Sequence, residues 1–247
     1  MATFVFLDTE TTGNGENDRV LQLAFIARRA GEKPLLASSL CKPPVPIDFF
    51  AMATHHITPE TLANEPPFAE TQAAKELTAV NKPDSIAVIH NAPFDLEMLR
   101  REGVNWQGGV IDTLRVARRV LDTPSHSLQY LRYALGLYRE EEALASELGA
   151  KVVAHNAAGD AQTLYLLTQH LLKKIGGGKG EAVMELLRFT NEPLELKTLR
   201  FGKYRGKSFR EVKESDIGYL RWLAESEAMK ENPDADLVYT IRLVLES

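Results

Sequence analysis

The stretch of the chain that decides the fold is Thr3-Phe4-Val5-Phe6-Leu7-Asp8-Thr9-Glu10-Thr11-Thr12-Gly13. Its first five residues are apolar or β-branched, which predicts a short buried strand. Asp8 and Glu10 stand two residues apart at the end of that strand. If the extended backbone continues through them, both carboxylates face the same side and can share one cation.

A second apolar run carries another acidic residue at its end. Ser85 to Ile89 predicts a strand, and the segment His90-Asn91-Ala92-Pro93-Phe94-Asp95 follows it directly. Pro93 is suited to the first turn of a helix, since a proline there costs no helical hydrogen bond. Asp95 is therefore predicted in the first helical turn, close to the end of the strand.

A third segment supplies a histidine and a further aspartate. The short run Lys151 to Ala154 leads into His155-Asn156-Ala157-Ala158-Gly159-Asp160, and leucines at helical spacing follow. This pattern predicts His155 on a loop and Asp160 at the start of a helix. Two such supports can converge on one point.

Each of these residues also has an ordinary explanation when taken alone. The chain has 34 acidic residues, so acid-x-acid pairs arise by chance. Asp95 and Asp160 fit helix N-terminal acids stabilised by the macrodipole, and an isolated histidine is more often a surface or core residue. The joint pattern, in which each acid follows an apolar run, favours one cleft with four carboxylates and a histidine. Such a cleft can hold two divalent cations and activate water for phosphodiester hydrolysis.

The three motifs together resemble the DEDDh branch of the proofreading-type 3′-5′ exonuclease superfamily. That family has Asp-x-Glu in its first motif, Asp after a His-Asn-Ala-like turn in its second, and His, four residues, Asp in its third. The matching residues are Asp8, Glu10, Asp95, His155 and Asp160. The segment Ala51 to Thr58 resembles a further His-x-Ile-Thr stretch of the family. The resemblance covers roughly residues 2–175 and implies an α/β fold with a ribonuclease H-like mixed sheet flanked by helices.

The resemblance also implies a mechanism. Asp8, Glu10 and Asp160 would hold one metal ion, Asp8 would bridge to a second, and Asp95 would act partly through metal-bound water. His155 would accept the proton of the attacking water, and a nucleoside 5′-monophosphate would leave from the 3′ end. Mg²⁺ or Mn²⁺ is expected, because an all-carboxylate site suits hard cations.

Substrate contacts follow from the same resemblance. The backbone at Glu10 and Thr11 is expected to bind the 3′-terminal hydroxyl, which would direct the enzyme to ends. The other candidates for the nucleotide pocket are His55, His56, Ile57, Asn91 and Phe94. Packing explains His55, His56, Ile57 and Phe94 equally well, and Asn91 is first of all a turn former.

The C-terminal part of the chain resembles a second sequence element. Thr198 to Leu223 is similar to the C-terminal extension of the bacterial exodeoxyribonuclease X family. Seven basic residues lie within it or beside it, namely Lys197, Arg200, Lys203, Arg205, Lys207, Arg210 and Lys213. Lys203, Tyr204, Arg205 and Lys207 are candidate nucleic-acid contacts, with the aromatic ring offering a stacking surface beside basic groups. A solvated basic segment without a ligand fits the same pattern.

The run Gly176-Gly177-Gly178-Lys179-Gly180 predicts a linker. We expect an exonuclease domain over 1–175, a linker over 176–180 and a small α+β domain over 181–247. Strands are expected near 3–8, 19–29, 34–41, 85–90 and 110–111, with helical stretches over 48–80. Downstream, a helix is expected over 181–189, a hairpin over 196–209, and helices over 216–228 and 235–246.

Composition limits the function classes. The net charge of −5 argues against a general electrostatic attraction to nucleic acid, so binding must depend on local patches. The single cysteine, Cys41, cannot form an internal disulfide, and the N-terminal residues show no basic leader. We therefore expect a cytoplasmic protein that is neither exported nor inserted in a membrane. DNA and RNA remain open as substrates, since that choice depends on contacts to the 2′ position. A catalytically silent nucleic-acid-binding module is a further alternative.

Overall fold

The computed structural model describes residues 2–149, 157–231 and 233–247. The chain forms two compact units, 1–190 and 191–247. The strands are β1 (Thr3–Thr11), β2 (Val20–Arg28), β3 (Leu35–Leu40), β4 (Ser85–Ile89) and β5 (Gly109–Asp112). The helices are α1 (Phe49–His55), α2 (Gln72–Val80), α3 (Ala92–Arg101), α4 (Thr113–Val120), α5 (Leu128–Ala134), α6 (Glu141–Leu148), α7 (Ala157–Ile175), α8 (Lys179–Asn191), α9 (Phe209–Ala228) and α10 (Ala235–Glu246). Short 3₁₀ turns lie at Phe68–Glu70 and Leu137–Arg139.

The first unit is built on one five-stranded mixed sheet with the order β3-β2-β1-β4-β5. β1, β2 and β3 form an antiparallel meander, whereas β4 and β5 run parallel to β1. The expected strands and the mixed α/β arrangement are confirmed. Because β1 is central, its apolar run is buried on both faces, as the sequence indicated.

Alternation along β1 divides the core into two layers. Val5 and Leu7 pack with α2 and α3 on one face of the sheet. Phe6 packs on the other face with α4, α5 and α7, where Leu164 and Leu167 are fully buried. The odd and even positions of β1 therefore face different helices. This alternation determines which helix lies beside each residue from Asp8 to Glu10.

The glycine run does not separate the two units. Helix α8 follows it and belongs to the first unit, which extends to residue 190. Leu186 of α8 is fully buried in the same core cluster as α7. The expected boundary at 176–180 is therefore placed too early, because glycine composition marks backbone freedom but not which surface the next helix covers.

The second unit is predominantly helical rather than the expected α+β. Its core is formed by apolar residues of α9 and α10 together with Leu196 and Leu199. The expected hairpin over 196–209 is reduced to a single antiparallel bridge between Thr198 and Ser208. Ser208 and Glu211 form a capping box that starts α9, which explains why the chain turns helical at Phe209. In the described parts of the chain, no helix combines the length and the apolar character needed to cross a membrane.

Candidate metal centre

The candidate site lies where β1 extends beyond its parallel neighbour. β1 pairs with β4 only from Thr3 to Phe6, so its last five residues have no strand on that side. The register against β2 shifts between Glu10 and Thr11, which marks a bulge at the end of the strand. Bulges commonly occur beside active sites, where they redirect side chains. The carboxyl ends of β1 and β4 thus lie beside the first turns of α3 and α7.

Three carboxylates converge at this position. One oxygen each from Asp8, Glu10 and Asp160 lies within 4.8 Å of the other two. Asp8 and Glu10 share the face of β1 that packs on α7, as their spacing predicted, and Asp160 is in the first turn of α7. An all-oxygen group of this kind suits a hard divalent cation.

Burial and mutual repulsion make the charged forms of these groups costly. Burial, and then the charges of Asp95, Asp160 and Glu10, raise the pKa of Asp8 well above its ordinary value. Burial, and then the charges of Asp160 and Asp95, raise the pKa of Glu10 to about 7. Bound cations would reverse this effect, since they favour the ionised carboxylates.

Asp95 adjoins the three clustered carboxylates and is held by a different neighbour. The backbone N–H and the hydroxyl of Thr9 both donate to its Oδ1, at 3.1 and 2.7 Å. Asp95 is buried in the first turn of α3, where the sequence placed it. Burial raises its pKa to about 7, with the two hydrogen bonds from Thr9 acting in the opposite direction. The two bonds from Thr9 therefore fix the orientation of the Asp95 carboxylate beside the other three.

Asp160 is oriented by a residue that the sequence did not reveal. The side-chain amide of Gln129, in α5, donates to its Oδ1. The other polar side-chain atom of Gln129, Oε1, is buried and has no hydrogen-bond partner among the described residues. A buried acceptor of this kind is uncommon in folded proteins, and the amide nitrogen of the same side chain is the group that orients Asp160.

Further contacts fix the helices that carry Gln129 and Asp160. Gln22 of β2 lies opposite Glu10 in the sheet and accepts from the Ala157 N–H at the start of α7, at 3.2 Å. The buried ion pair between Arg132 and Glu141 ties α5 to α6, and the Thr163 hydroxyl of α7 donates to the same Glu141 carboxylate. The helices that carry Gln129 and Asp160 are therefore joined through Glu141 of α6.

The turn between β4 and α3 is shaped by Asp112. Its carboxylate accepts from the backbone N–H groups of Asn91 and Ala92 at 3.1 and 3.2 Å, and also caps the start of α4. Asn91 has a left-handed backbone with a φ of 77°, a conformation that asparagine tolerates better than most residues. Its placement agrees with its role as a turn former. His90 is partly buried, and both of its ring nitrogens form hydrogen bonds, one with the Thr113 hydroxyl and one with the His126 carbonyl.

A cleft of about 960 Å³ opens beside the carboxylates. Glu10, Thr11, His55 and Phe94 are among its lining residues. His55 is buried, its Nδ1 accepts from the Ile57 N–H at 3.0 Å, and burial lowers its pKa. Ile57 packs in a small core cluster with Leu21 and Leu62.

The other candidate residues have different positions. His56 is exposed and ends α1 in a left-handed conformation. It is absent, as is Ile57, from the described lining of the cleft. His155, the candidate base, lies outside the described residues.

One of the candidate basic residues of the second unit, Lys203, is engaged with neighbouring side chains of that unit. Lys203 forms an ion pair with Asp216 at 2.8 Å and lies over the rings of Tyr204 and Tyr219. The Tyr204 hydroxyl donates to the same Asp216 carboxylate. Arg205 and Lys207 are exposed. Lys203 and Tyr204 therefore have a structural role, and a nucleic-acid contact through Arg205 and Lys207 stays a prediction.

Comparison with known families assigns both parts of the chain. Residues 5–168 match the family model described as Exonuclease, and residues 199–233 match the model described as Exodeoxyribonuclease X-like C-terminal. Exodeoxyribonuclease 10 of Escherichia coli (strain K12) is 30% identical over 217 residues, which cover 88% of this chain and 88% of that protein. A DNA polymerase III subunit epsilon-like protein of Rhodobacter capsulatus is 36% identical over 167 residues, covering 63% of this chain and only 23% of the relative.

Solved structures show the same fold. Exonuclease X in complex with 5′ overhanging duplex DNA aligns with a TM-score of 0.55 and 22% identity, covering 77% of this chain and 100% of that one. Escherichia coli exonuclease I in complex with a dT13 oligonucleotide aligns with a TM-score of 0.53 and 20% identity, covering 75% of this chain and 43% of that one. These likenesses confirm the ribonuclease H-like sheet that the motifs implied.

Proposed function

Because the chain belongs to the exonuclease family, we propose that it removes nucleotides one at a time from the 3′ ends of DNA and releases nucleoside 5′-monophosphates. Family membership makes the protein a phosphodiester hydrolase, a 3′-5′ exonuclease. The observation that carries the proposal is the convergence of Asp8, Glu10 and Asp160 within 4.8 Å beside an open cleft. DNA is proposed as the substrate because the relatives that match most of the chain are named for it.

The residues present fit divalent cations. Three carboxylates, with Asp95 adjoining, give a hard-oxygen donor set whose mutual repulsion a cation relieves. We propose two ions, Mg²⁺ or Mn²⁺, held by Asp8, Glu10 and Asp160, with Asp95 participating partly through metal-bound water. When bound, such ions stabilise charge on the phosphate and make water a better nucleophile at neutral pH.

The protein's own groups have separable tasks in this proposal. Gln129 orients Asp160 through one of its oxygens, and Thr9 orients Asp95 in the same way. His155 is proposed to accept the proton of the attacking water, because the ordinary pKa of histidine lies close to working pH. The backbone at Glu10 and Thr11, where β1 bulges, is proposed to bind the terminal 3′ hydroxyl and so to restrict cleavage to ends.

The direct test is incubation with single-stranded DNA, duplex DNA and RNA of matched sequence, labelled at either end. With Mg²⁺, a 3′ label should appear at once as a mononucleotide, while a 5′ label should report a ladder that shortens from the 3′ end. A chelator should stop both. Faster cleavage of RNA than of DNA would change the substrate assignment, and 3′-labelled products longer than one nucleotide would contradict an exonuclease.

Replacing Asp8 gives the matched mutational test. Asp8→Asn keeps the shape of the side chain and removes the charge that holds a cation, so turnover should be lost while the circular dichroism spectrum is unchanged. Asp84→Asn, at an exposed turn before β4, removes the same charge away from the cleft and should leave turnover intact. Near wild-type turnover in folded Asp8→Asn would refute the assigned metal centre.

A further inference from the structure

Two adjacent phenylalanines stand in solvent on the wall of the cleft. Phe49 and Phe50 open helix α1 and are 83% and 85% exposed. Most large apolar side chains of the chain are buried, and an exposed aromatic pair loses hydrophobic stabilisation that burial would give. Both rings line the same cleft as Glu10 and Thr11. The fold therefore presents them to whatever enters beside the carboxylates.

The backbone beneath the pair is fixed to the end of β1. The N–H of Asp48, the N-cap of α1, donates to the Thr12 carbonyl at 2.8 Å. The Asp48 carboxylate in turn accepts from the Phe50 N–H at 2.7 Å, and the Thr54 hydroxyl donates to the Phe50 carbonyl at 2.9 Å. Because Thr12 lies two residues after Glu10, the rings are held in a set relation to the proposed metal centre.

The charge of the cleft restricts what these rings can contact. Its described lining includes the acidic residues Glu10, Asp18 and Asp48, and neither a lysine nor an arginine. A polynucleotide that entered with its phosphates against this wall would meet like charge. A strand that entered with its bases against the wall would instead meet two aromatic faces, and base stacking on aromatic side chains is a general source of single-strand affinity.

We propose that Phe49 and Phe50 form a stacking platform for the nucleobases at the 3′ end of the strand being degraded. The platform rests on the proposed function, since it needs a nucleic-acid strand in the cleft. It binds bases of any sequence, because every base offers a flat face. It also favours unpaired ends, since a base stacked on the rings leaves its partner strand.

The test combines a change in the protein with a change in the substrate. Single-stranded oligodeoxynucleotides carry either normal nucleotides or abasic residues at their last two 3′ positions. Dissociation constants are measured in chelator, where no hydrolysis occurs, and KM and kcat are measured with Mg²⁺. The proteins are wild type, Phe49→Ala/Phe50→Ala, Phe49→Trp/Phe50→Trp, and the control Met184→Ala, which truncates an exposed apolar side chain of α8 outside the cleft.

The double alanine variant should bind the normal oligonucleotide about 10- to 100-fold more weakly, the range expected for lost base stacking. Its affinity for the abasic oligonucleotide should equal that of wild type, and the tryptophan variant should bind the normal oligonucleotide at least as tightly as wild type. Met184→Ala should match wild type throughout. Equal weakening on both oligonucleotides would place the contact elsewhere than on the bases, and unchanged binding would leave the pair as a surface for another protein. Either result overturns the platform.

The proposed function is judged separately in the same experiment. If wild type releases mononucleotides and the alanine variant behaves like it, only the platform fails. If wild type degrades neither DNA nor RNA, the proposed function itself fails.

Discussion

Glu10→Gln should stabilise the metal-free protein at alkaline pH. The pKa of Glu10 is raised from its ordinary value of 4.5 to about 7, first by burial and then by Asp160 and Asp95. A raised folded-state pKa means that ionisation favours the unfolded chain. The penalty is absent below pH 4.5, grows between pH 4.5 and 7, and is complete above pH 7. At about 1.4 kcal/mol per pH unit, the full penalty is about 3 kcal/mol.

Glutamine keeps the shape of Glu10 and cannot ionise. In chelator at pH 8, the variant should therefore gain about 3 kcal/mol in the free energy of unfolding, or a rise of about 6 to 12 °C in Tm for a unit of this size. At pH 4.5 the two proteins should have equal stability. The sign should reverse with Mg²⁺ at pH 8, because the wild type binds the cation more tightly and ligand binding adds stability to the folded state.

The measurement is thermal unfolding by circular dichroism from pH 4.5 to 8.5, with chelator and with Mg²⁺. Glu16→Gln is the matched control, since it removes the same charge from an exposed position in the loop after β1. Its effect on Tm should be small at every pH. Two results would refute the account of the site as a repulsive cluster. One is a dependence of Tm on pH that is the same in Glu10→Gln as in wild type, and the other is a Glu10→Gln variant less stable than wild type in chelator at pH 8.

Three further outcomes are expected. His155→Ala should lower turnover by about 10²- to 10⁴-fold, and the rise of rate with pH through a histidine titration should vanish; an unaltered pH profile would remove His155 as the base. Gln129→Leu should weaken Mg²⁺ binding by about 10- to 100-fold in calorimetry, because Asp160 loses the donor that orients it; unchanged affinity would make the contact incidental. Truncation after Thr190 should leave a folded, active first unit whose log affinity for nucleic acid depends less steeply on log salt than that of the full chain. Truncation after Ile175 also removes α8 and should destabilise the first unit. Equal salt slopes for the full chain and 1–190 would assign the second unit a role other than phosphate contact.

The sequence predicted the residues whose chemistry is local. Asp8 and Glu10 were placed on one face because strand alternation is fixed by covalent geometry, and Asp95 was placed in a first turn because Pro93 suits the start of a helix. The five strands were also recognisable, because each contains a short apolar run. These features depend on few neighbours, so a single sequence is enough to find them.

The residues that hold the site were not predictable in this way. Gln129 follows a helical pattern that says only that α5 buries Leu128 and Leu131, and nothing in its spacing points to Asp160, 31 residues later. Thr9 has the sequence pattern of an ordinary strand residue, and its hydrogen bonds to Asp95 become apparent only when α3 is packed beside β1. Such partners are determined by tertiary packing. The same limit explains the predicted domain boundary, because α8 covers the core of the first unit despite the glycine run that precedes it.

This division between ligands and supports explains why the clustered carboxylates can coexist. Repulsion among Asp8, Glu10 and Asp160 would spread flexible side chains apart. However, β1 is paired with β2 through its acidic end and with β4 as far as Phe6, and α7 is fixed at its start by Gln22. The scaffold thus keeps Glu10 buried and beside other carboxylates, and its ionisation costs the folded protein about 3 kcal/mol. A cation that binds there finds its ligands already arranged, and relief of the repulsion adds to its affinity. The same positions that lower the stability of the metal-free protein are therefore those that should make its activity depend on metal.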